Sequence, residues 1–485
     1  MTVAEQSTGQ QMLVGLARPL HTTETRLKGM LPLPMAIYLI AILLPITFRL
    51  GPLYMTSVRL VVLVLVLPLA IRLLMGHFGR ILLIDILFFL HIAWAAVALA
   101  VNNPDMVVTQ IGSLGPEFLG GYLIGRAYIR SREQFVALCR WAMMVVLVTL
   151  PFALYETRTG YPPIIGTLQK LPGFGSFSIV NYEGRLGLQR VQAMTTHPIH
   201  YGLFASTALS LTLVGLKGVM SDTRRYLAGA GVALCTFLSL SSGALLPMIM
   251  QFFLIGWGIT FRRTGMPWLL LALLAGAAYL TVDLLSNRSP IQVFFSYATF
   301  SAHNAYWRGL IFEWGMKNVW DNPVFGIGLN DWVRPHFMHT GSMDNFWLVM
   351  AVRYGFPGFL LVALPYLWGL WRVGRREFSA DPELARLRRA WMFTFVSLTF
   401  TLCTVHVWTS IYSFVFMVYG AGMWFISATP RQADPAPEPD RRPVTGLPRP
   451  AAGLGVLAGQ AADMADSAGT NASRYTRFPL RTRQT

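Results

Sequence analysis

Apolar residues along this chain come in long blocks separated by short polar stretches, at roughly 32–48, 57–75, 81–101, 109–127, 137–155, 199–216, 225–241, 244–261, 266–285, 346–371, 391–406 and 410–428. An α-helix needs ~20 such residues to cross the ~30 Å hydrocarbon core of a bilayer. The pattern therefore predicts an all-α, polytopic transmembrane bundle of about 12 spans. The fourth block is the weakest, because Pro116 and Glu117 interrupt it. Residues 1–31 are polar, with Arg18, Arg26 and Lys28 just before the first block and no small-residue cleavage site after it. That block is expected to stay as an anchor behind a cytoplasmic N-terminal segment. Residues 429–485 are rich in Pro, Ala and Gly and poor in large apolar side chains. They predict a disordered cytoplasmic tail whose arginines touch anionic lipid headgroups. No internal repeat is visible.

Composition narrows the class. Of the 485 residues, 54% are hydrophobic and 13% charged, roughly half the ~25% charged fraction of soluble domains. A soluble protein is excluded. In a soluble chain the net charge of +17 would point to nucleic acid; here it asks which membrane face carries the positive residues. Arg72 and Arg80; Arg126, Arg130, Arg132 and Arg140; Lys217, Arg224 and Arg225; Arg262 and Arg263; and Arg372 through Arg389 all fall in alternate connections. The positive-inside rule makes that side cytoplasmic, with both termini inside and Arg49 and Arg59 as exceptions. The same count puts two long connections outside, residues 156–198 and 286–345, within a membrane domain spanning 32–428. Loops of that length usually carry function. Cys139, Cys235 and Cys403 lie in or beside apolar blocks without disulfide or zinc spacing, and are expected to be packing residues.

The chemistry concentrates in the two outer loops. The first ends in RLGLQRVQAMTTHPIHYG, residues 185–202. Guanidinium forks bind phosphate oxygens bidentately, so Arg185 and Arg190 beside a helix start make a candidate anion clamp; snorkelling interfacial arginines are the structural alternative. In the second loop, apolar residues Leu310, Ile311, Trp314 and Val319 recur at helical spacing and predict an amphipathic surface helix with Arg308 on its polar face. Asn322-Pro323 stops it, and Gly326 and Gly328 form a tight turn. Asp344, just before an apolar helix, is either its N-cap or a general base for a sugar hydroxyl. His197, His200, His303, His336 and His339 all fall outside, with spacings that suit sugar contacts or caps better than metal binding. The outer-loop tryptophans, Trp307, Trp314, Trp320, Trp332 and Trp347, are read as interfacial belt residues or sugar platforms.

These residues together resemble a family. Arg190 with His197-Pro198, then Arg308 with Asn322, Pro323, Gly326 and Gly328, then Asp344-Asn345 with Gly355 and Gly358, follow in the order seen in the O-antigen ligase and Wzy-type polymerase superfamily. The resemblance covers roughly residues 150–430. It implies a GT-C-like glycosyltransferase of the bacterial inner membrane, acting on the periplasmic face without metal or other cofactor. The reaction it implies moves a glycan from an undecaprenyl-pyrophosphate donor to an acceptor sugar hydroxyl. On that resemblance Arg190 and Arg308 bind and stabilise the departing pyrophosphate, Arg185 assists, and Asp344 stands where the ligases carry a His base, with His339 as a substitute. His197, Asn345, Asn322, Gly326 and Gly328 complete the expected substrate-binding set. The chain departs from its relatives at Ser241-Ser242-Gly243-Ala244, where Ser-Arg-Gly is frequent, and at Arg353, where Glu is common.

Three functions remain in play at this level. The first is a polymerase of lipid-linked exopolysaccharide or O-antigen units, which would work beside other polysaccharide-assembly proteins. The second is a ligase with a lipid A-core acceptor. The third is a flippase or transporter, which would use mid-membrane ionisable residues such as Glu117 and His91. Nucleic acid is not expected as a partner.

Overall fold

The computed structural model describes residues 30–287 except Pro52, residues 290 and 293, and residues 302–430, with the backbone alone at 302–305. The expected N-terminal segment up to residue 29, the tail from residue 431 and the side chain of His303 lie outside the described residues. Helical backbone lies under every one of the apolar blocks. Seven of the described helices are long and apolar enough to cross a membrane.

In chain order the described elements are α1 (Leu33–Leu43), β1 (Ile46–Leu50), β2 (Leu53–Thr56), α2 (Ser57–Leu74), α3 (Leu83–Asn102), α4 (Val107–Gly115), α5 (Gly121–Tyr128), α6 (Arg132–Thr159), α7 (Pro163–Leu168), β3 (Gly175–Ser176), α8 (Pro198–Ser210), α9 (Asp222–Leu238), α10 (Ser242–Thr260), α11 (Pro267–Leu285), α12 (Ala302–Asp321), α13 (Phe346–Gly374), α14 (Pro382–Leu402) and α15 (Thr409–Gly422). The small sheet was not legible in the hydropathy. The first apolar block stops being helical at Leu43, just before Pro45, and its remainder forms an antiparallel hairpin pairing Thr47 with Thr56 and Leu50 with Leu53. Gly51, at φ 59°, makes the turn, and β3 of the first outer loop adds to the free edge of β1. An apolar run short of a full span is thus completed by strand pairing that ties the start of the chain to residues 175–176.

The bundle is organised around α15, which is almost wholly buried. It lies against α5 at backbone contact distance: a Cβ added at Gly121, Gly125 or Gly420 would overlap the facing main chain at Ser413, Met417 or Tyr122. Small residues at a crossing let dispersion and close packing replace the hydrophobic force that lipid cannot supply. Around this seam Phe88, Phe118, Tyr122, Phe416 and Tyr419 pack mostly edge to face.

The interrupted fourth block is a helix that widens into one π-helical turn, Pro116–Gly120, between α4 and α5. Its carboxylate is partnered: Arg59 donates through Nε and Nη2 to Glu117 Oε1, at 3.1 and 2.7 Å, with both side chains buried. His91 is likewise engaged, its Nδ1 lying 2.8 Å from the Gly358 carbonyl oxygen.

Helix α13 contains the sharpest departure from regularity. At Gly355 the backbone turns to φ 68°, ψ −177°, a region that only glycine occupies without strain. The break frees carbonyls within the helix, and the turn after α12 satisfies them: Ile327 N–H donates to Val352 O (2.9 Å), Gly328 N–H to Arg353 O (3.0 Å), while Phe356 N–H donates to Pro323 O (2.8 Å). Asn103 and Trp94 of the α3 end complete the joint through Leu329 N–H and the Tyr354 carbonyl. Gly326 and Gly328, both at φ 64°, press against this joint so closely that a side chain would strike α13 at one position and Asn103 at the other.

Gly355→Ala is expected to cost about 1–3 kcal/mol in backbone strain, before the overlap of the new methyl with the Val324 carbonyl. Thermal unfolding in detergent should show a lower midpoint than wild type. Gly256→Ala, where a Cβ meets nothing within 4 Å, is the matched control and should leave it unchanged.

Candidate active site

Arg185, Arg190, His197, Arg308, Asp344 and Asn345 of the predicted site lie at one end of the bundle, where α6, α9 and α14 end and α8, α10, α13 and α15 begin. The first loop is anchored there on both sides. Glu156, at the end of α6, is buried and accepts from Gln192 N–H (2.7 Å) and Ala193 N–H (2.9 Å), while Thr157 exchanges bonds with the Gln189 backbone. Val191 N–H donates to Leu238 O at the end of α9. Arg190 is therefore held in a segment pinned before and after it. Its guanidinium lies 5.3 Å from the Tyr182 ring centroid, and its Nε is buried without a hydrogen-bond partner. Arg185 opens a two-residue hairpin, Arg185 and Leu188 exchanging both backbone bonds at 2.9 Å. Leu186 and Gly187 both have positive φ, as a type I′ turn requires. The Arg185 Nη1 donates to Leu240 O, 2.9 Å away in the α9–α10 connection.

That connection joins the two outer loops. Arg308, from α12, brings Nη2 to 3.9 Å from the Cβ position of Gly243 in the first turn of α10. Arg308 Nη1 is buried and unpartnered. Ser241, the residue before α10, makes no side-chain cap, so the positive end of the helix dipole stays open beside Arg308. Val405 covers Gly243 from the other side, and its carbonyl accepts from Phe346 N–H at the start of α13. The Asp344 charge acts on the Arg308 guanidinium, although the two form no ion pair among the described residues. The structure separates the two roles open for this carboxylate: the N-cap of α13 is Asn345, whose Oδ1 accepts from Leu348 N–H at 3.1 Å. Asp344 accepts only from Ser342 Oγ (3.1 Å) among the hydrogen bonds described.

The electrostatics follow from crowding. Burial and the charge of Arg185 push the Arg190 guanidinium down to about 10. Burial lowers Arg308 too, opposed by Asp344 and reinforced by Arg185. Burial, Arg190 and Arg185 together bring His197 down to about 4, so it is neutral at pH 7. Its Nδ1 accepts from Ile199 N–H, capping α8, and its ring packs edge-on to Tyr182 at 4.8 Å. Three guanidinium groups against one carboxylate, two buried N–H groups without acceptors and a helix N-terminus without a side-chain cap give the site an excess of positive charge suited to an anion.

Sequence reasoning missed the third component. The connection between α14 and α15 carries His406 and Trp408; Trp408 lies 3.9 Å from His200 and 6.3 Å from His197 between ring centroids, and stacks near His406. Burial and Arg353 bring His406 down to about 3. The signal was present: by the alternation that put residues 156–198 outside, residues 407–409 fall outside too. Beyond Trp408 opens a cavity of about 350 Å³ lined by Gly328–Trp332, Gly341–Met343, Arg353, His406 and Trp408, among others. Arg353 forms no ion pair among the described residues. It lies on the cavity and is not the group next to Gly243, which is Arg308.

The other expected site residues sit elsewhere. His339 is exposed and lies in the stretch bridging Arg334 and Gly341. Asn322 donates to the Asn318 carbonyl at 3.3 Å, and Gly326 and Gly328 belong to the joint with α13. All four non-glycine residues with positive φ among those described, Leu186, Ala193, Leu240 and Thr409, flank the clamp or Trp408, which is where stored backbone strain accompanies function. No group of three or more metal-ligating side chains occurs among the described residues.

The family model described as O-antigen ligase matches residues 227–363. The segment runs from α9 through the α13 break and so contains Gly243, Arg308, Asp344 and Asn345, whereas Arg185, Arg190, His406 and Trp408 lie outside it. No curated protein matches the chain. The match supports the superfamily the motifs resemble, and with it a multi-pass membrane protein with a ligase- or polymerase-type function.

The His197 shift carries a sign. Its folded value of about 4 lies below the ~6.5 of an unfolded histidine, so between those pH values only the unfolded chain takes up the proton and stability falls as pH drops. The unfolding midpoint in detergent should decline from pH 6.5 towards 4, and His197→Asn, which still caps, should lose part of that decline. Inorganic pyrophosphate, by neutralising Arg185 and Arg190, should raise the His197 value in an NMR titration. An unmoved His197 resonance would argue that no anion binds beside it.

Proposed function

We propose, from the similarity to the O-antigen ligase family over residues 227–363 and from the excess of positive charge in the site just described, that the protein is a membrane glycosyltransferase of the periplasmic face of the inner membrane. It polymerises undecaprenyl-pyrophosphate-linked repeat units of an exopolysaccharide or O-antigen. The observation that carries the reading is the pair of buried, unpartnered guanidinium N–H groups on Arg190 and Arg308, which come from two separate loops and both feel the charge of Arg185, itself bonded to Leu240 beside the start of α10.

In this reading Arg190 and Arg308 take the donor's pyrophosphate, Arg185 adds charge, and the first turn of α10 contributes its dipole. The cavity beyond Trp408 receives the acceptor glycan, with Trp408 and Trp332 offering ring faces and Arg353 a polar contact. Asp344 directly follows cavity residues Ser342 and Met343, and its charge acts on Arg308. It takes the proton from the acceptor hydroxyl as that oxygen bonds to the anomeric carbon, and the carbon–oxygen bond to pyrophosphate breaks. The growing negative charge on the leaving group falls on the clamp, where preorganised donors in a water-poor site are worth most. His197 stays neutral, caps α8 and braces Tyr182 under Arg190.

Two observations favour this reading over a flippase. Glu117 is ion-paired with Arg59 and His91 Nδ1 is bound to a main-chain carbonyl, so the carboxylate and one ring nitrogen of the groups that suggested transport already have structural partners. The ligase reading uses the same clamp and differs in the acceptor, lipid A-core.

Purified protein incubated without added metal with an undecaprenyl-pyrophosphate oligosaccharide should give ladders of longer lipid-linked glycan and released lipid pyrophosphate. Release only on addition of lipid A-core would instead identify the ligase, and neither product, with lipid crossing vesicle bilayers, the flippase. Arg190→Gln and Arg308→Gln should each abolish product while leaving the detergent elution profile intact; normal product from either removes the clamp. Asp344→Asn should lower turnover by about 10²–10⁴-fold with an unchanged unfolding midpoint, because Asn345 and not Asp344 caps α13.

A further inference from the structure

The clamp lies at one end of α10. At the other end, some 16 residues and about 24 Å along the axis, a second cavity of about 610 Å³ opens between α9, α10, α14 and the turn following α8. Its walls are apolar, formed by Leu213, Val214, Phe252, Ile255, Ile259 and Phe393, with Gly229, Ala230 and Gly258 leaving room between them. Four cations line the same cavity: Lys217, Arg225, Arg386 and Arg389.

Their local carboxylates do not balance them. Asp222 is bound by Arg225 Nη2 at 2.7 Å. Glu383 is taken by Arg132 at 2.7 Å and reaches Arg386 only at 4.0 Å. Lys217 and Arg389 form no ion pair among the described residues. Arg225, itself buried, and Arg386 each keep a buried Nε without a hydrogen-bond partner, and the charges of Arg389, Arg132 and Arg225 all bear on Arg386. A soluble anion would need the cations but not the apolar walls, and an apolar molecule would need the walls but not the cations. Only an amphiphile with a negative head uses both.

We infer that this groove is a binding site for an anionic phospholipid of the leaflet opposite the clamp, its phosphate on Arg386, Arg389 and Lys217 and an acyl chain along Phe252, Ile255 and Phe393. The site is independent of the glycosyltransferase reading, since it shares no residue with the clamp and lies at the opposite end of α10.

The test uses full-length protein in neutral detergent, with lipid retention read by native mass spectrometry and unfolding followed in parallel. Phosphatidylglycerol should be retained at one molecule per chain, displaced by cardiolipin and not by phosphatidylcholine or inorganic phosphate. Arg386→Gln with Arg389→Gln should weaken retention by about tenfold or more. Gly258→Leu, which fills the groove without altering charge and at a position where a Cβ makes only ordinary contact with Trp268 and Phe393, should weaken it as well. If the double variant does not fold, Lys217→Gln and Gly258→Leu carry the test. Displacement of the lipid by inorganic phosphate would reduce the site to an anion site and overturn the inference. So would phosphatidylcholine binding equally well, or retention unmoved by the charge and filling variants.

Discussion

A peptide group inside a bilayer has no water to turn to, so every irregularity in a spanning helix must be repaired by the protein itself. The break at Gly355 is where this constraint shapes the rest of the molecule. Ending the regular hydrogen bonding of α13 there releases carbonyls at Val352 and Arg353, and the turn that follows α12 receives them. The turn is thereby fixed over the helix, with three consequences. Arg353 is left at the rim of a cavity. The start of α13 is directed at the Val405 carbonyl, and Arg308, on the helix that feeds the turn, is carried to the start of α10. The Asn-Pro and paired-glycine motif is part of the joint that builds the cavity wall, and its glycines are there because a side chain at either would strike a neighbour.

The first loop reaches the same place by different means. It has no long regular element, yet Arg190 is fixed as firmly as a residue on a helix, through Glu156 below it and the α9–α10 connection beside it. Burying a carboxylate to accept two consecutive N–H groups is a strong way to hold an irregular segment. It gives Glu156 a positioning role that its placement at the boundary between a span and a loop does not announce. The local strain at Leu186, Ala193 and Leu240 is the counterpart of this anchoring.

Much of this was legible in the sequence, for physical reasons that vary by element. Apolar blocks such as 57–75 and 81–101 coincide with helices to within a residue or two, because the bilayer imposes length and composition together. Arg190, Arg308 and Asp344 stood out because charge in so apolar a chain is rare and clustered in two loops. The hairpin at 46–56 was hidden, since its residues are as apolar as a span and only Pro45 and Gly51 mark the change. Asp344 was open between helix cap and base in the sequence, because Asp and Asn cap equally well and the choice between adjacent positions is made by the backbone, which takes Asn345. His406 escaped notice because it reads as the end of the apolar block 391–406, and Trp408 because the gap before the next block is too short to read as a loop, although alternation puts it on the same face; in the structure α14 already ends at Leu402.

The two guanidinium N–H groups without acceptors bear on more than activation of a donor. On the proposed reaction, the bond that breaks leaves the pyrophosphate with an additional negative oxygen, so the departing lipid matches the clamp better than the donor did. Among the described residues Asp344 is the one carboxylate acting on Arg308, and the charge of Arg185 bears on both arginines. The spent carrier is therefore the best ligand the site meets during the cycle. Product inhibition by lipid pyrophosphate, and a turnover governed by how fast the carrier is withdrawn into the membrane, follow from the same unpaired charge that drives the chemistry.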